Sequence, residues 1–256
     1  MHIDLNADLG EASGADATRG DEAILRAVSS ANVACGLHAG RPSTIRQTVR
    51  LALTHGVAVG AHPGYPDLTG RGRREMRVPP GELEDLVLYQ VSALAGLVSA
   101  EGGRLAHIKP HGALYHMAAR ERAIAEAIVT AITALDRRLI LFAPPGSELA
   151  KAGEAGGLTV AREGFADRAY QADGTLVPRT VAGAVQCDAA AVVAQAVRMV
   201  RESTVVAVNG SIVALAVDTI CVHGDTPGAA DLARHLRAGL EAAGIRVRPA
   251  LPVVRG

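Results

Sequence analysis

The chain opens on a strict alternation: Ile3, Leu5, Ala7 and Leu9 share one parity, and Asp4, Asn6 and Asp8 share the other. An extended strand therefore carries three short polar groups in a row on one face. Short apolar runs at 31–35, 57–61, 105–109, 139–143, 158–163 and 217–222 predict further strands. Most of them end in a His, Asp, Lys or Glu beside a Gly or Pro. Helical spacing fills the intervals. Asp21 offers an N-cap to a short helix with Ile24, Leu25 and Val28, and Ser43 to one with Ile45, Val49, Ala52 and Leu53. Leu83, Val87, Val91, Leu94 and Val98 mark a long helix closed by Gly102 and Gly103. Further helices follow from Ile124 to Leu135, from a Ser147 cap, from Val192 to Val200, and over 226–243. Asn209-Gly210, between runs at 204–208 and 211–215, signals a hairpin with a type I′ turn. Two stretches, 65–80 and 164–184, are long irregular loops of the kind that often serve as lids or binding loops.

Six or seven strands alternating with helices, with no linker and no shift in composition, indicate one α/β domain over 1–256 with a parallel sheet. An open sheet gathers its site at one switch point, whereas a barrel draws on most of its strands. Because the polar strand ends are spread along the whole chain, the expectation is a closed or nearly closed barrel.

Composition narrows the picture. Hydrophobic residues make up 49% of the chain and aromatic residues 2%, with no Trp, so the core is aliphatic. Lys and Arg number 26 and so do Asp and Glu, which leaves no net field for nucleic acid or an anionic membrane surface. The three cysteines, Cys35, Cys187 and Cys221, are widely spaced and form no CxxC, which argues against a disulfide framework or zinc knuckle and for a reducing cytoplasm. The start of the chain lacks a leader pattern, and no apolar run approaches about 18 residues; the expectation is a cytoplasmic protein with no membrane span. No GxxxxGK[ST] and no GxGxxG after the first strand offers a nucleotide cradle.

The strand-end groups are Asn6, Asp8, Glu11, Cys35, His38, His62, Lys109, His111, Glu163, Asp167, His223 and Asp225. Imidazoles and carboxylates converging on one rim suit either a divalent metal or the acid and base of a hydrolysis without one. Lys109, held before Pro110, is placed as a fixed cation beside an oxyanion or phosphate; its structural alternative is a rim ion pair with Glu163 or Asp8. Arg71, Arg73 and Arg74 either close over an anionic substrate or form a solvated loop. Cys35 reads as a small buried strand residue rather than a nucleophile paired with His38.

Several blocks together resemble the LamB/YcsF family: 4–11 (DLNADLGE), 32–40 (NVACGLHAG), 60–63 (GAHP), 109–115 (KPHGALY), 165–170 (FADRAY), 173–179 (DGTLVPR) and 221–225 (CVHGD). The resemblance runs essentially end to end. It implies a distorted seven-stranded β/α barrel similar to the glycoside hydrolase and polysaccharide deacetylase superfamily. It also implies ATP-dependent opening of 5-oxo-L-proline to L-glutamate, as the A subunit of a 5-oxoprolinase acting with subunits B and C. ATP is then a co-substrate of the complex, a divalent metal stays open with Asp8, His38 and His62 as ligands, and a homodimer stays open as an assembly state. In that scheme Asp8 with His38 or His62 is the base, Lys109 and Arg168 hold the phosphate or oxyanion, and His223 with Asp225 protonates the departing nitrogen. His111 completes the catalytic set, and Asn6, Glu11, Arg73, Glu163 and Asp167 contact substrate. Arg41 and Arg71 depart from the family pattern and affect local loop contacts. Two rival readings remain: a stand-alone metal-dependent deacetylase and a non-catalytic subunit that positions substrate.

Overall fold

The computed structural model describes residues 1–11, 17–222 and 228–250. In chain order the strands are β1 (His2–Leu9), β2 (Ser30–Ala34), β3 (Ala58–His62), β4 (Leu105–Ile108), β5 (Ile140–Ala143), β6 (Thr159–Phe165), β7 (Thr204–Val206), β8 (Ile212–Ala214), β9 (Thr219–Val222) and β10 (Arg246–Val247). The helices are α1 (Ala17–Leu25), α2 (Pro42–Thr54), α3 (Pro80–Ala100), α4 (Gly112–Arg120), α5 (Arg122–Leu135), α6 (Glu148–Ala155), α7 (Ala189–Glu202) and α8 (Ala229–Ala242).

Strands β1 to β6 pair in parallel in sequence order, β9 pairs with β6, and β9 also pairs with β1. That last pairing closes a seven-stranded barrel. Every strand end at the carboxyl side therefore faces one mouth, the arrangement in which α/β barrels assemble their sites. The register sets the interior: Asp8 lies beside Asn32, Asn32 beside Gly60, Gly60 beside His107, and both Asp4 and Glu163 beside Thr219. Residues of the other parity, among them Ile3, Leu5, Val33, Val59, Ile108, Leu141 and Ile220, join the helices in one continuous apolar cluster. One glycine is required by close approach: a Cβ on Gly60 would stand 2.1 Å from His107 Nε2.

Several local expectations change. Asp21 lies within α1 rather than capping it, and its carboxylate accepts from Gly10 N–H (2.9 Å) and the Thr48 hydroxyl (2.8 Å). Helix α2 starts at Pro42, whose fixed φ suits a first helical position, so Ser43 is not the cap. Ser147 does cap α6, accepting from Ala150 N–H at 3.1 Å. The β7–β8 hairpin forms, but Asn209 is not among the residues with positive φ, whereas Gly210 has φ +84° and donates to Ala207 O at 2.8 Å. A type I′ turn needs positive φ at both central residues, so this loop is an ordinary turn followed by a left-handed glycine. Helix α4 and strand β10, absent from the periodicity reading, complete the fold. By length and mean hydropathy α3 is apolar enough to cross a membrane, yet its Leu83, Val87, Val91, Leu94 and Val98 face is buried in the shell around the barrel.

Candidate active site at the carboxyl end of the barrel

The barrel interior is a ladder of polar layers. At its base Asp4 accepts from the hydroxyls of Ser29 (2.7 Å), Ser30 (2.7 Å) and Thr219 (2.6 Å). Burial pushes its carboxyl up to about 6. One layer higher, the Asn6 amide donates to Thr219 Oγ1 (2.7 Å) and Glu163 Oε1 (3.1 Å), while Asn32 donates to Asn6 Oδ1 and to Asp8 Oδ1, both at 2.7 Å. His107 Nε2 stands 2.8 Å from Asn32 Oδ1, its ring stacked on Phe142 at 4.2 Å, and burial lowers its pKa to about 3.

Lys109 is the hub of the next layer. Its ammonium lies 2.9 Å from Asp8 Oδ1, 3.0 Å from Glu163 Oε1 and 3.0 Å from Cys221 Sγ. Burial works against the charge, but the carboxylates of Asp8 and Glu163 outweigh it and hold the pKa well above its ordinary value. The second Glu163 oxygen accepts from the Tyr115 hydroxyl at 2.6 Å, and burial beside that carboxylate holds the phenol protonated. Burial likewise keeps the Cys221 thiol protonated. Cys35 Sγ turns to Val33 O at 3.6 Å, and burial pushes its thiol up to about 12, which leaves it unsuited to be a nucleophile.

At the mouth stand Glu11, His38, His62 and His111. His62 Nδ1 faces the Lys109 carbonyl oxygen at 2.7 Å, and His62 Nε2 lies 3.3 Å from Asp8 Oδ2. His111 Nε2 faces the Arg71 carbonyl oxygen at 2.9 Å. Glu11 Oε1 lies 3.1 Å from His111 Nδ1, 3.5 Å from His38 Nε2 and 3.7 Å from His62 Nε2. Burial lowers His38 to about 4. The loop after β3 closes backbone against these rings: a Cβ on Gly64 would stand 2.7 Å from His38 Nδ1, and one on Gly72 would stand 2.8 Å from His111 Cδ2. Asp8 and Glu11 side chains keep 18% and 11% exposure, so the buried network reaches the mouth of the barrel through them.

The structure thus brings together Asn6, Asp8, Glu11, His38, His62, Lys109, His111 and Glu163. It places others elsewhere. Arg168 is buried, with its guanidinium donating to Ala184 O (3.2 Å) and Val177 O (2.5 Å), where it staples the 164–184 loop. Asp167 is buried at the same loop and borders a cavity with Gln186, Cys187 and His235. Arg73 is exposed on the 65–80 loop, where Arg71 rather than Arg73 approaches Glu11, at 3.7 Å. Arg74 pairs with Asp67. His223 and Asp225 lie outside the described residues. Sequence reasoning missed Tyr115, Asn32, His107, Thr219 and Cys221 as members of the network. Tyr115 stands in the 109–115 block; Thr219 and Cys221 share one parity of their strand, a signal overlooked because both pass for core residues.

The chain matches the model of the LamB/YcsF family over residues 3–255. It is 55% identical over 245 residues to the A subunit of 5-oxoprolinase from Methylococcus capsulatus, covering 96% of this chain and 94% of that one. The crystal structure of the lactam utilization protein from Thermus thermophilus superposes with a TM-score of 0.92 at 48% identity, covering 97% and 99% of the two chains. A family 4 carbohydrate esterase from Streptomyces lividans superposes at 0.51 and 12% identity over 99% and 94%, a likeness of fold alone.

Proposed function

The chain belongs to the LamB/YcsF family, and on that premise we propose that it is the A subunit of a 5-oxoprolinase, the lactam-hydrolysing component that opens 5-oxo-L-proline to L-glutamate. The observation that carries the reading is its identity to a protein of that name over nearly the full length of both chains. The rim supplies chemistry of the right kind: a half-open carboxylate next to an imidazole and a buried ammonium, at the mouth of a barrel.

A five-membered lactam is a stable amide, so attack by water needs an activated carbonyl, a base for the water and an acid for the leaving nitrogen. Phosphoryl transfer from ATP to the amide oxygen gives ADP and an imidate-type phosphate. Water then adds to the carbon, the ring C–N bond breaks with proton transfer to nitrogen, and a second water hydrolyses the resulting acyl phosphate to carboxylate and phosphate. This chain has no phosphate loop in its sequence, so the reading assigns activation to partner subunits B and C. Asp8 receives the proton of the attacking water. His62 Nε2 stands 3.3 Å from Asp8 Oδ2, beside that base. Lys109 fixes Asp8 and supplies positive charge where negative charge develops on oxygen. The reading places the complex in the cytoplasm, where the three cysteines stay thiols.

The test is glutamate release from 5-oxoproline and ATP by this chain alone, by the partners alone and by the mixture. Turnover appears only in the mixture, and Asp8→Asn lowers it roughly 10²–10⁴-fold, the usual worth of a general base. Unchanged turnover with Asp8→Asn sinks the residue assignment. No glutamate from any mixture sinks the reaction.

A further inference from the structure

The imidazoles at the mouth are pinned from behind, and that fixes which nitrogens are bare. A carbonyl oxygen only accepts, so His62 Nδ1, 2.7 Å from Lys109 O, and His111 Nε2, 2.9 Å from Arg71 O, both carry hydrogens. In neutral rings the remaining nitrogens, His62 Nε2 and His111 Nδ1, are lone pairs. They face each other at 2.9 Å, with the rings at 87°. Glu11 Oε1 completes the cluster, 3.1 Å from His111 Nδ1 and 3.7 Å from His62 Nε2. Three acceptors at such separations repel unless a positive species sits among them.

A second observation points the same way. Glu11 Oε1 and both ring nitrogens of His38 are buried without a hydrogen-bond partner, although buried polar atoms are as a rule satisfied. Glu11, His38 and His111 each offer a ligand atom within 4.8 Å of the others.

We propose that Glu11, His62 and His111, completed by His38, hold one divalent transition-metal cation. Donors about 2.1 Å from a shared ion stand about 3.0–3.4 Å apart, and imidazole with carboxylate is a donor set for zinc and its neighbours. The Lys109 and Arg71 carbonyls then serve as outer partners that orient the rings. His38 stacks parallel to His111, with centroids 3.9 Å apart and planes within 7°, so its nitrogen reaches the ion only after the ring turns; no hydrogen bond holds it back. Glu11 is assigned as the carboxylate ligand because its Oε1 is buried without a hydrogen-bond partner and groups with His38 and His111, whereas Asp8 Oδ1 is engaged by Lys109 and Asn32 and its Oδ2 stands 3.3 Å from His62 Nε2. Bound there, such an ion polarises a carbonyl or acidifies water. The cluster stands on geometry and not on the lactam reading.

The alternative occupant is a single proton shared between His62 Nε2 and His111 Nδ1. Calorimetric titration of the tag-free, chelator-treated chain with Zn²⁺, and with Co²⁺ read by its visible absorption, separates the two without ATP or partner subunits. One equivalent is expected, with Glu11→Gln and His111→Gln each weakening affinity at least roughly a hundredfold, the upper end for outer-shell partners. Circular dichroism of the metal-free variants checks that they are folded; if Glu11→Gln is not, His62→Gln replaces it. Less than a tenth of an equivalent bound, or binding that the folded variants retain, overturns the site. Either result leaves the glutamate-release test standing by itself.

Discussion

The two halves of this protein's interior are built on opposite rules. Between strands and helices the packing is aliphatic, a continuous layer of Leu, Ile, Val and Ala that runs from Ile3 to Ile245. Inside the strands the same barrel holds Asp4, Asn6, Asn32, His107, Lys109, Glu163 and Thr219, all buried. The chain's two phenylalanines stand there as well, Phe142 stacked on His107 and Phe165 beneath Lys109 at 5.6 Å. The shell is held by non-directional burial, whose worth scales with apolar area and tolerates changes of shape. The interior is held by hydrogen bonds and charge pairs whose loss exposes an unpaired partner. A shell residue is thus replaceable by something of like size, and an interior residue only by something of like charge and donor pattern.

Removing the hub tests that contrast most severely. Lys109→Met is close in volume but leaves Asp8 and Glu163 facing each other uncompensated, and breaking a buried pair in this way costs about 3–5 kcal/mol. Urea unfolding should show that loss, with partial recovery when Glu163→Gln is added. A Lys109→Met protein as stable as the wild type would erase the distinction between the regions.

Acid sharpens it. His107 has a folded pKa of about 3, below the unfolded value of about 6.5. Its neutral form favours the fold, so its contribution is complete above the unfolded value and is lost as pH falls below it. Between pH 7 and pH 5 the wild type should lose about 2 kcal/mol more than His107→Gln, which keeps a donor for Asn32. Asp4, raised to about 6, works in the opposite sense, gaining stability as pH falls through that value, and cancels in the comparison. Equal pH slopes for the two proteins would show that His107 titrates normally.

The smallest effect belongs to the shell. Leu94 is buried on α3, and Leu94→Met keeps its volume. It should cost less than about 1.5 kcal/mol and leave turnover of the assembled enzyme unchanged. A larger loss would mean that the shell too depends on specific fit.

Much of this architecture was legible before the fold. The parity of residues 3–9 announced a strand with one polar face, and the apolar spacing of Leu83 to Val98 announced a long helix. The strand-end groups Asp8, His38, His62, Lys109 and His111 were visible as a set because each ends an apolar run. Other features were hidden for local reasons. Asn209-Gly210 has the composition of a tight turn, yet only the backbone reveals that Asn209 keeps a negative φ. Arg168 has the chemistry of an anion binder, yet backbone carbonyls of its own loop take its guanidinium.

The sequence by itself determined period and parity: where most of the strands and helices lie, and which side of the first strand is polar. These depend on neighbours two to four positions away. The tertiary structure alone decided which polar ends meet. Lys109 and Cys221, 112 positions apart, lie at 3.0 Å, and Thr219 reaches Asp4 across 215. Such contacts exist because β9 returns to β1 and closes the barrel. Closure was expected from the spread of polar strand ends along the chain, but register and the particular pairs come from the packing of all seven strands at once, so no local pattern specifies them.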